Sequence, residues 1–375
     1  MKKIKILFFH FCLGHGGAEK VLVNLMNNLD PNKYDITLFT LFHYGVNGKH
    51  LAQHIKWIYW LDRSPFSGVV YLLKLLSPSC LHKLFIKDIY DIEIAFMQGI
   101  PTRVVSACIN PNTKKYAWLH SEVKSIKQIL SVYRCAKEGY LAYHKFDKIA
   151  GVSDIVCKSF CEQLNIFDIK PVTVHNTLEI DKIVSKSYLP ISEKLSTTVI
   201  NLCSVGRLVP PKSYFRLMNV FSKLVDEDIT NFHFYLLGEG ALKDEIVQQV
   251  KDLHLEKYVT LLGYDENPYR YVSKMDFFIC SSLQEGYSTA VTESIVVQTP
   301  VLTTDCSGMR EIFGDTEAGI IVQNSEDGLL YGLREILKDK SLRDRSKQAA
   351  IQRSEYFSTK NLIAEFESFI GVGNE

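Results

Sequence analysis

Short apolar runs alternate with amphipathic stretches of helical period along the chain, and the alternation occurs twice over. In the first half, the runs at 4–11, 35–41, 92–96, 115–119, 148–152 and 172–175 predict buried strands, with helices over 18–28 and 154–163. Runs apolar on both faces belong to parallel sheets covered by helices, because only there does neither face meet water. From 181 to 197 the sequence turns polar and irregular around Pro190, as an interdomain linker does. The pattern then restarts. Strands are predicted at 199–205, 233–237, 259–262, 277–281, 300–304 and 319–322, with helices at 214–225, 242–252, 325–338 and 341–354. A last amphipathic helix is predicted over 359–370, with Ser358 as its cap. The expected organisation is two α/β domains: 1–180, a linker at 181–198, a second domain at 199–355, and a tail at 356–375 packing back on the first.

Size and composition agree with this division. The chain has 375 residues, 46% of them hydrophobic and 23% charged, enough for two domains that each bury a core. Nine scattered cysteines without zinc spacing read as thiols in a reducing cytosol. The apolar start lacks a small-residue cleavage site and reads as a first strand, and no stretch is long and apolar enough to span a bilayer. Location is therefore expected to be cytoplasmic, with peripheral attachment at the inner membrane face. Residues 1–175 carry 22 Lys and Arg against 13 Asp and Glu, a balance of +9, and the rest carries −8. A basic half suits an anionic membrane surface or a phosphate-bearing acceptor; the alternative is attraction between the halves. The dispersed basic residues and the lack of a stacking motif argue against nucleic acid.

The chemistry gathers where predicted strands end. In open α/β sheets ligands bind at the carboxyl ends of strands. The first strand runs into Leu13-Gly14-His15-Gly16-Gly17 and a helix start. A dinucleotide site would need a complete glycine pattern and an acid after the second strand, and neither is present, which excludes hydride transfer. Arg207 and Lys212 straddle a turn after the strand at 199–205, where two cations can neutralise a diphosphate leaving group. Gly238-Glu239-Gly240 makes another tight turn. Past the strand at 277–281 comes Glu285-Gly286-Tyr287-Ser288-Thr289, a glycine turn leading into a helix that contains Glu293. Helix N-termini seat phosphate, and the two acids, eight residues apart, can grip other parts of an elongated ligand such as sugar hydroxyls. Asp226-Glu227-Asp228 imitates a metal motif but follows a helix, away from the strand ends, and reads as a solvated cluster.

Together these residues resemble the retaining glycosyltransferases of family 4, which have the GT-B fold: two Rossmann-like domains facing across a cleft. The E-x7-E signature matches Glu285 to Glu293, G-R-L-x-x-x-K matches Gly206 to Lys212, and G-x-G matches Gly238 to Gly240. The Gly-Gly-Ala-Glu step common in bacterial members stands at Gly16–Glu19. The resemblance implies a hexosyltransferase moving sugar from a nucleoside diphosphate, UDP rather than GDP, to a saccharide acceptor. That acceptor is expected to be lipid-linked, in polysaccharide or glycolipid assembly. It further implies that Glu293 holds the donor ribose and Glu285 the transferred sugar, with Arg207 and Lys212 on the diphosphate. Amides of Tyr287, Ser288 and Thr289 and the glycines at 16 and 17 complete that cradle, and His120 stands near the reacting sugar. No metal or other cofactor is expected, the nucleotide-sugar being a substrate. An epimerase of the same architecture and a non-catalytic partner subunit are the alternatives. Two departures stand out: Lys212-Ser213 where many members have Lys-Gly, and the stiff Pro210-Pro211. The segment 66–87, apolar with interspersed lysines, reads either as a membrane-dipping element or as two core-packed helices.

Overall fold

The computed structural model describes residues 2–14, 16–193 and 195–372. They form two compact units, Met1–Leu178 with Thr359–Glu375, and Glu179–Ser358. The first is built on seven parallel strands: β1 (Ile4–His10), β2 (Tyr34–Phe42), β3 (Lys56–Leu61), β4 (Ile92–Ala95), β5 (Lys114–Leu119), β6 (Lys148–Gly151) and β7 (Val172–Thr173). Their order is β3-β2-β1-β4-β5-β6-β7. The second has six: β8 (Ile200–Val205), β9 (Phe232–Leu237), β10 (Val259–Gly263), β11 (Phe277–Cys280), β12 (Val301–Thr304) and β13 (Gly319–Val322), ordered β10-β9-β8-β11-β12-β13. All pairings in both sheets are parallel.

Both sheets are doubly wound, and the strand that starts each unit explains why. Ile6 to Phe9 of β1 and Leu202 and Cys203 of β8 are buried on both faces, so each strand must take neighbours and helices on both sides. β1 lies between β2 and β4, and β8 between β9 and β11. The winding therefore reverses at β1/β4 and at β8/β11. At such reversals the loops after adjacent strands part in opposite directions and leave a crevice at the carboxyl edge.

The last helix, Thr359–Ile370, is built into the first unit. Phe366 stacks on Phe8 and on Trp118, each at 6.0 Å, and Phe369 meets Tyr116 at 5.2 Å. Glu367 accepts from Lys33 at 2.9 Å and from the Tyr34 hydroxyl at 2.8 Å.

Two segments differ from the sequence expectation, and a third takes one of its two expected forms. β3, an edge strand with the apolar run Trp57–Leu61 after Lys56, was not expected; its residues are only half-buried or exposed. The stretch expected as linker opens with a helix, Ile180–Ser187, which belongs to the second unit and buries Ile180 and Ile183. Residues 66–87 contain two short helices, Val69–Leu75 and Pro78–Phe85. All nine cysteines are free, five of them buried and Cys80 and Cys135 exposed.

Candidate active site

In the second unit the loops after β8, β9 and β11 are knitted together. Gly238, at φ +144°, leaves room for the backbone of Gly206; a side-chain carbon there would lie 1.9 Å from the Gly206 carbonyl oxygen. Gly240 likewise presses on Leu208, whose amide donates to the Glu239 carbonyl at 2.9 Å. These glycines are needed because two turns occupy the space of one. The turn Pro210–Lys212 is pinned from the other side. Leu283 donates its amide to the Pro211 carbonyl at 2.8 Å, and the Ser281 hydroxyl donates to the Lys212 carbonyl at 2.8 Å.

That pinning delivers Lys212 to Glu285. The ammonium lies 2.6 Å from the carboxylate, and the Ser282 hydroxyl donates to the same oxygen at 2.6 Å. Burial works against the lysine's charge, but the Glu285 carboxylate outweighs it and holds the Lys212 pKa above its ordinary value. The nearby Tyr214 hydroxyl is pushed up to about 12 by burial, so it stays protonated. A small pocket adjoins them, lined by Ser204, Lys212, Tyr214, Ser282, Ser288 and Ala290. It opens at the β8/β11 reversal.

Beyond Glu285 the chain turns through Gly286 and the buried Tyr287 and Ser288 into the helix Thr289–Val296. Gly308, at φ +77°, backs this turn; a side-chain carbon there would come within 2.7 Å of the Gly286 carbonyl oxygen. The Ser288 side chain does not cap the helix. Among the described residues, the first-turn amides of Thr289, Ala290 and Val291 have no acceptor, which leaves three donors at the positive end of a helix. Glu293 is buried one turn further along. Arg207 follows β8, ahead of the pinned turn. It is exposed, and its guanidinium pairs with no described residue. Of the expected residues, Lys212 and Glu285 are thus directly joined, whereas Arg207 touches neither.

In the first unit, His120 follows β5 and His10 ends β1, on either side of Phe96, which follows β4. Phe96 lies 4.5 Å from the His120 ring and 6.2 Å from the His10 ring. Burial, and then His10, depress His120 to about 3, so its imidazole is neutral at physiological pH. Burial lowers His10 as well. Among the described residues, the buried His10 Nδ1, Trp118 Nε1 and His120 Nε2 have no hydrogen-bond partner, a rare condition that points to a polar ligand or water. Gly16 and the exposed Gly17 start the helix Gly17–Asn28; His15 of that loop lies outside the described residues. His10 and Ser282 were missed from sequence. The only available signal was a polar residue closing an apolar run. Asp226-Glu227-Asp228 stands at a helix end, where Glu227 is paired with Arg334.

The family model for glycosyl transferases group 1 matches residues 190–353. A Campylobacter jejuni protein, N-acetylgalactosamine-N,N'-diacetylbacillosaminyl-diphospho-undecaprenol 4-alpha-N-acetylgalactosaminyltransferase, is 30% identical over 94% of this chain and 95% of its own length. The chain belongs to the group 1 glycosyltransferases. A second C. jejuni enzyme, an alpha-1,4-N-acetyl-D-galactosaminyltransferase acting on a diNAcBac-PP-undecaprenol-linked saccharide, is 22% identical over 98% of both chains. Among solved structures, Anabaena Alr3699/HepE in complex with UDP and glucose superposes with a TM-score of 0.74. It is 17% identical and covers 98% of this chain and 99% of its own. The fold is GT-B, and this glycosyltransferase is a hexosyltransferase.

Proposed function

We propose that this glycosyltransferase transfers a hexosyl unit from a UDP-sugar to a hydroxyl of a lipid-linked saccharide, with retention of anomeric configuration, in the assembly of a surface glycan. The Lys212–Glu285 pair beside three unpaired helix-end amides carries the reading. Glycosyl transfer builds positive charge on the sugar and negative charge on the departing β-phosphate. Donors aimed at that phosphate stabilise the transition state more than the ground state. The amides of 289–291, Lys212 and Arg207 are such donors. An arriving diphosphate competes with Glu285 for the Lys212 ammonium, and the released carboxylate is then free to accept from hydroxyls of the transferred sugar. Glu293 is assigned to the ribose.

The unpaired ring nitrogens of His10, Trp118 and His120 are assigned to the saccharide on the acceptor side, as hydrogen-bonding groups rather than cations. The UDP-bound relative supports the choice of nucleotide, and the undecaprenol-linked substrates named for the C. jejuni relatives support the acceptor class. With this many fixed positive groups at the phosphate, metal is not required, and full activity in EDTA is expected.

Turnover with UDP-sugars and an undecaprenyl-diphosphate saccharide tests the reading. Arg207→Ala and Glu285→Ala should each reduce kcat by about 10²-fold or more, and NMR of the wild-type product should show the donor's anomeric configuration. Near wild-type rates in both variants, or an inverted product, would remove it.

A further inference from the structure

The stretch of backbone that leads from β11 to Glu285 is held by side chains from elsewhere in the second unit. Three successive carbonyls accept from them. Arg216 donates through Nη2 to the Ser281 carbonyl at 2.7 Å, and Asn324 through Nδ2 to that of Leu283 at 3.2 Å. Between these two, the Ser282 carbonyl accepts from the Thr304 hydroxyl at 2.6 Å and the Cys306 thiol at 3.0 Å. Arg216 also joins two of the holds, because its Nη1 donates to Asn324 Oδ1 at 3.0 Å. One guanidinium in the helix Tyr214–Asp226 thus ties the loop after β11 to the loop after β13.

Arg216 stands in an unfavourable place for a cation. It lies in the first turn of its helix, the positive end. It is half-buried, and burial lowers its pKa. Among the described residues no carboxylate accepts from it, and its Nε is buried without a partner. Helix propensity and ion pairing therefore do not account for this side chain. What it holds does.

The held segment delivers a carboxylate. Ser282, flanked by the two tied carbonyls, donates its hydroxyl to Glu285 at 2.6 Å. A shift of Ser281 and Ser282 therefore carries the partner of that carboxylate with it. A charge-assisted bond to a carbonyl is stronger than a neutral one and resists such a shift. We infer that Arg216, together with Asn324, is a positioning residue for Glu285: it fixes the Ser281–Leu283 backbone so that Ser282 sets the carboxylate against the transferred sugar. The inference rests on the role proposed above for Glu285 in the donor site.

Turnover of Arg216→Ala, Glu285→Ala and the double variant tests it, using the UDP-sugar that the wild type turns over fastest. Melting temperature and UDP affinity are measured on each protein. Arg216→Ala, assayed where it is fully folded, should lose about tenfold or more in kcat while its UDP affinity stays close to wild type. In the Glu285→Ala background the same substitution should cost less than about threefold, because the group it positions is gone. Asn324→Ala, which leaves the cation in place, should lower kcat in the same direction, and it carries the same cycle should Arg216→Ala fail to fold. Losses of equal size with and without Glu285, or a lowered melting temperature with unchanged kcat, would overturn the inference and leave Arg216 a clamp on the fold. Wild-type turnover in Glu285→Ala alone would instead remove the donor-site reading, and the inference with it.

Discussion

Ser213 sits at the end of the pinned turn with φ +57° and ψ +39°, a left-handed conformation that disfavours any residue with a Cβ. It is also where this chain departs from the Lys-Gly step of its family. Ser213→Gly is expected to raise stability by about 1 kcal/mol in denaturant titrations, with donor binding unchanged; a loss of stability would show that the serine side chain is needed. A second residue-scale effect concerns His82, whose Nε2 lies 2.9 Å from the buried Glu93 carboxylate. Burial opposes its charge, yet hydrogen bonds to Cys108 and Glu93, with the charge of Glu93, raise its pKa to about 9. A histidine whose folded pKa exceeds its unfolded 6.5 contributes fully below that pH, and the contribution is lost as pH rises through about 9. The melting temperature should therefore fall across that window, by the equivalent of at most ~3 kcal/mol, and His82→Gln should flatten the slope. An equal slope in the variant would assign it elsewhere.

Elements with a continuous apolar run were legible because burial on both faces leaves no polar position to blur the pattern. β11 and the Ile6–Phe9 part of β1 are of this kind. β3 was missed although Trp57–Leu61 is a continuous apolar run; as an edge strand with one neighbour it leaves those residues half-wet. The helix Ile180–Ser187 was hidden by its polarity: Asp181, Lys182 and Ser185 are exposed, and Ile180, Ile183 and Ser187 give it an interior side. Interior faces also decide the worth of the last helix. Phe366 is completely buried between Phe8 and Trp118, so Phe366→Ala should cost about 3–5 kcal/mol. A change under ~1 kcal/mol on chemical unfolding would mean that the first unit holds together without that helix.

At the scale of the molecule, the doubly wound order of each sheet makes the site. Lys212 and Glu285 are 73 residues apart in sequence. They meet because β8 and β11 are neighbours, so the loops that follow the two strands share one edge. The sequence shows both residues at strand ends, but adjacency depends on strand order, which local pattern does not encode. The same limit hid the placing of His10 near His120, since β4 had to fall between their strands. The glycines were legible for the opposite reason: a tight turn after a strand is a local demand, and Gly206, Gly238 and Gly240 meet it within one unit. On the proposed function, what the whole arrangement would provide is a diphosphate seat in the second unit. Calorimetric titration of UDP against the wild type, Arg207→Ala and Lys212→Ala tests that most directly. Binding of UDP well above that of uridine, weakened about tenfold or more in each variant, is the expected result; equal UDP affinity in all three proteins would contradict the account.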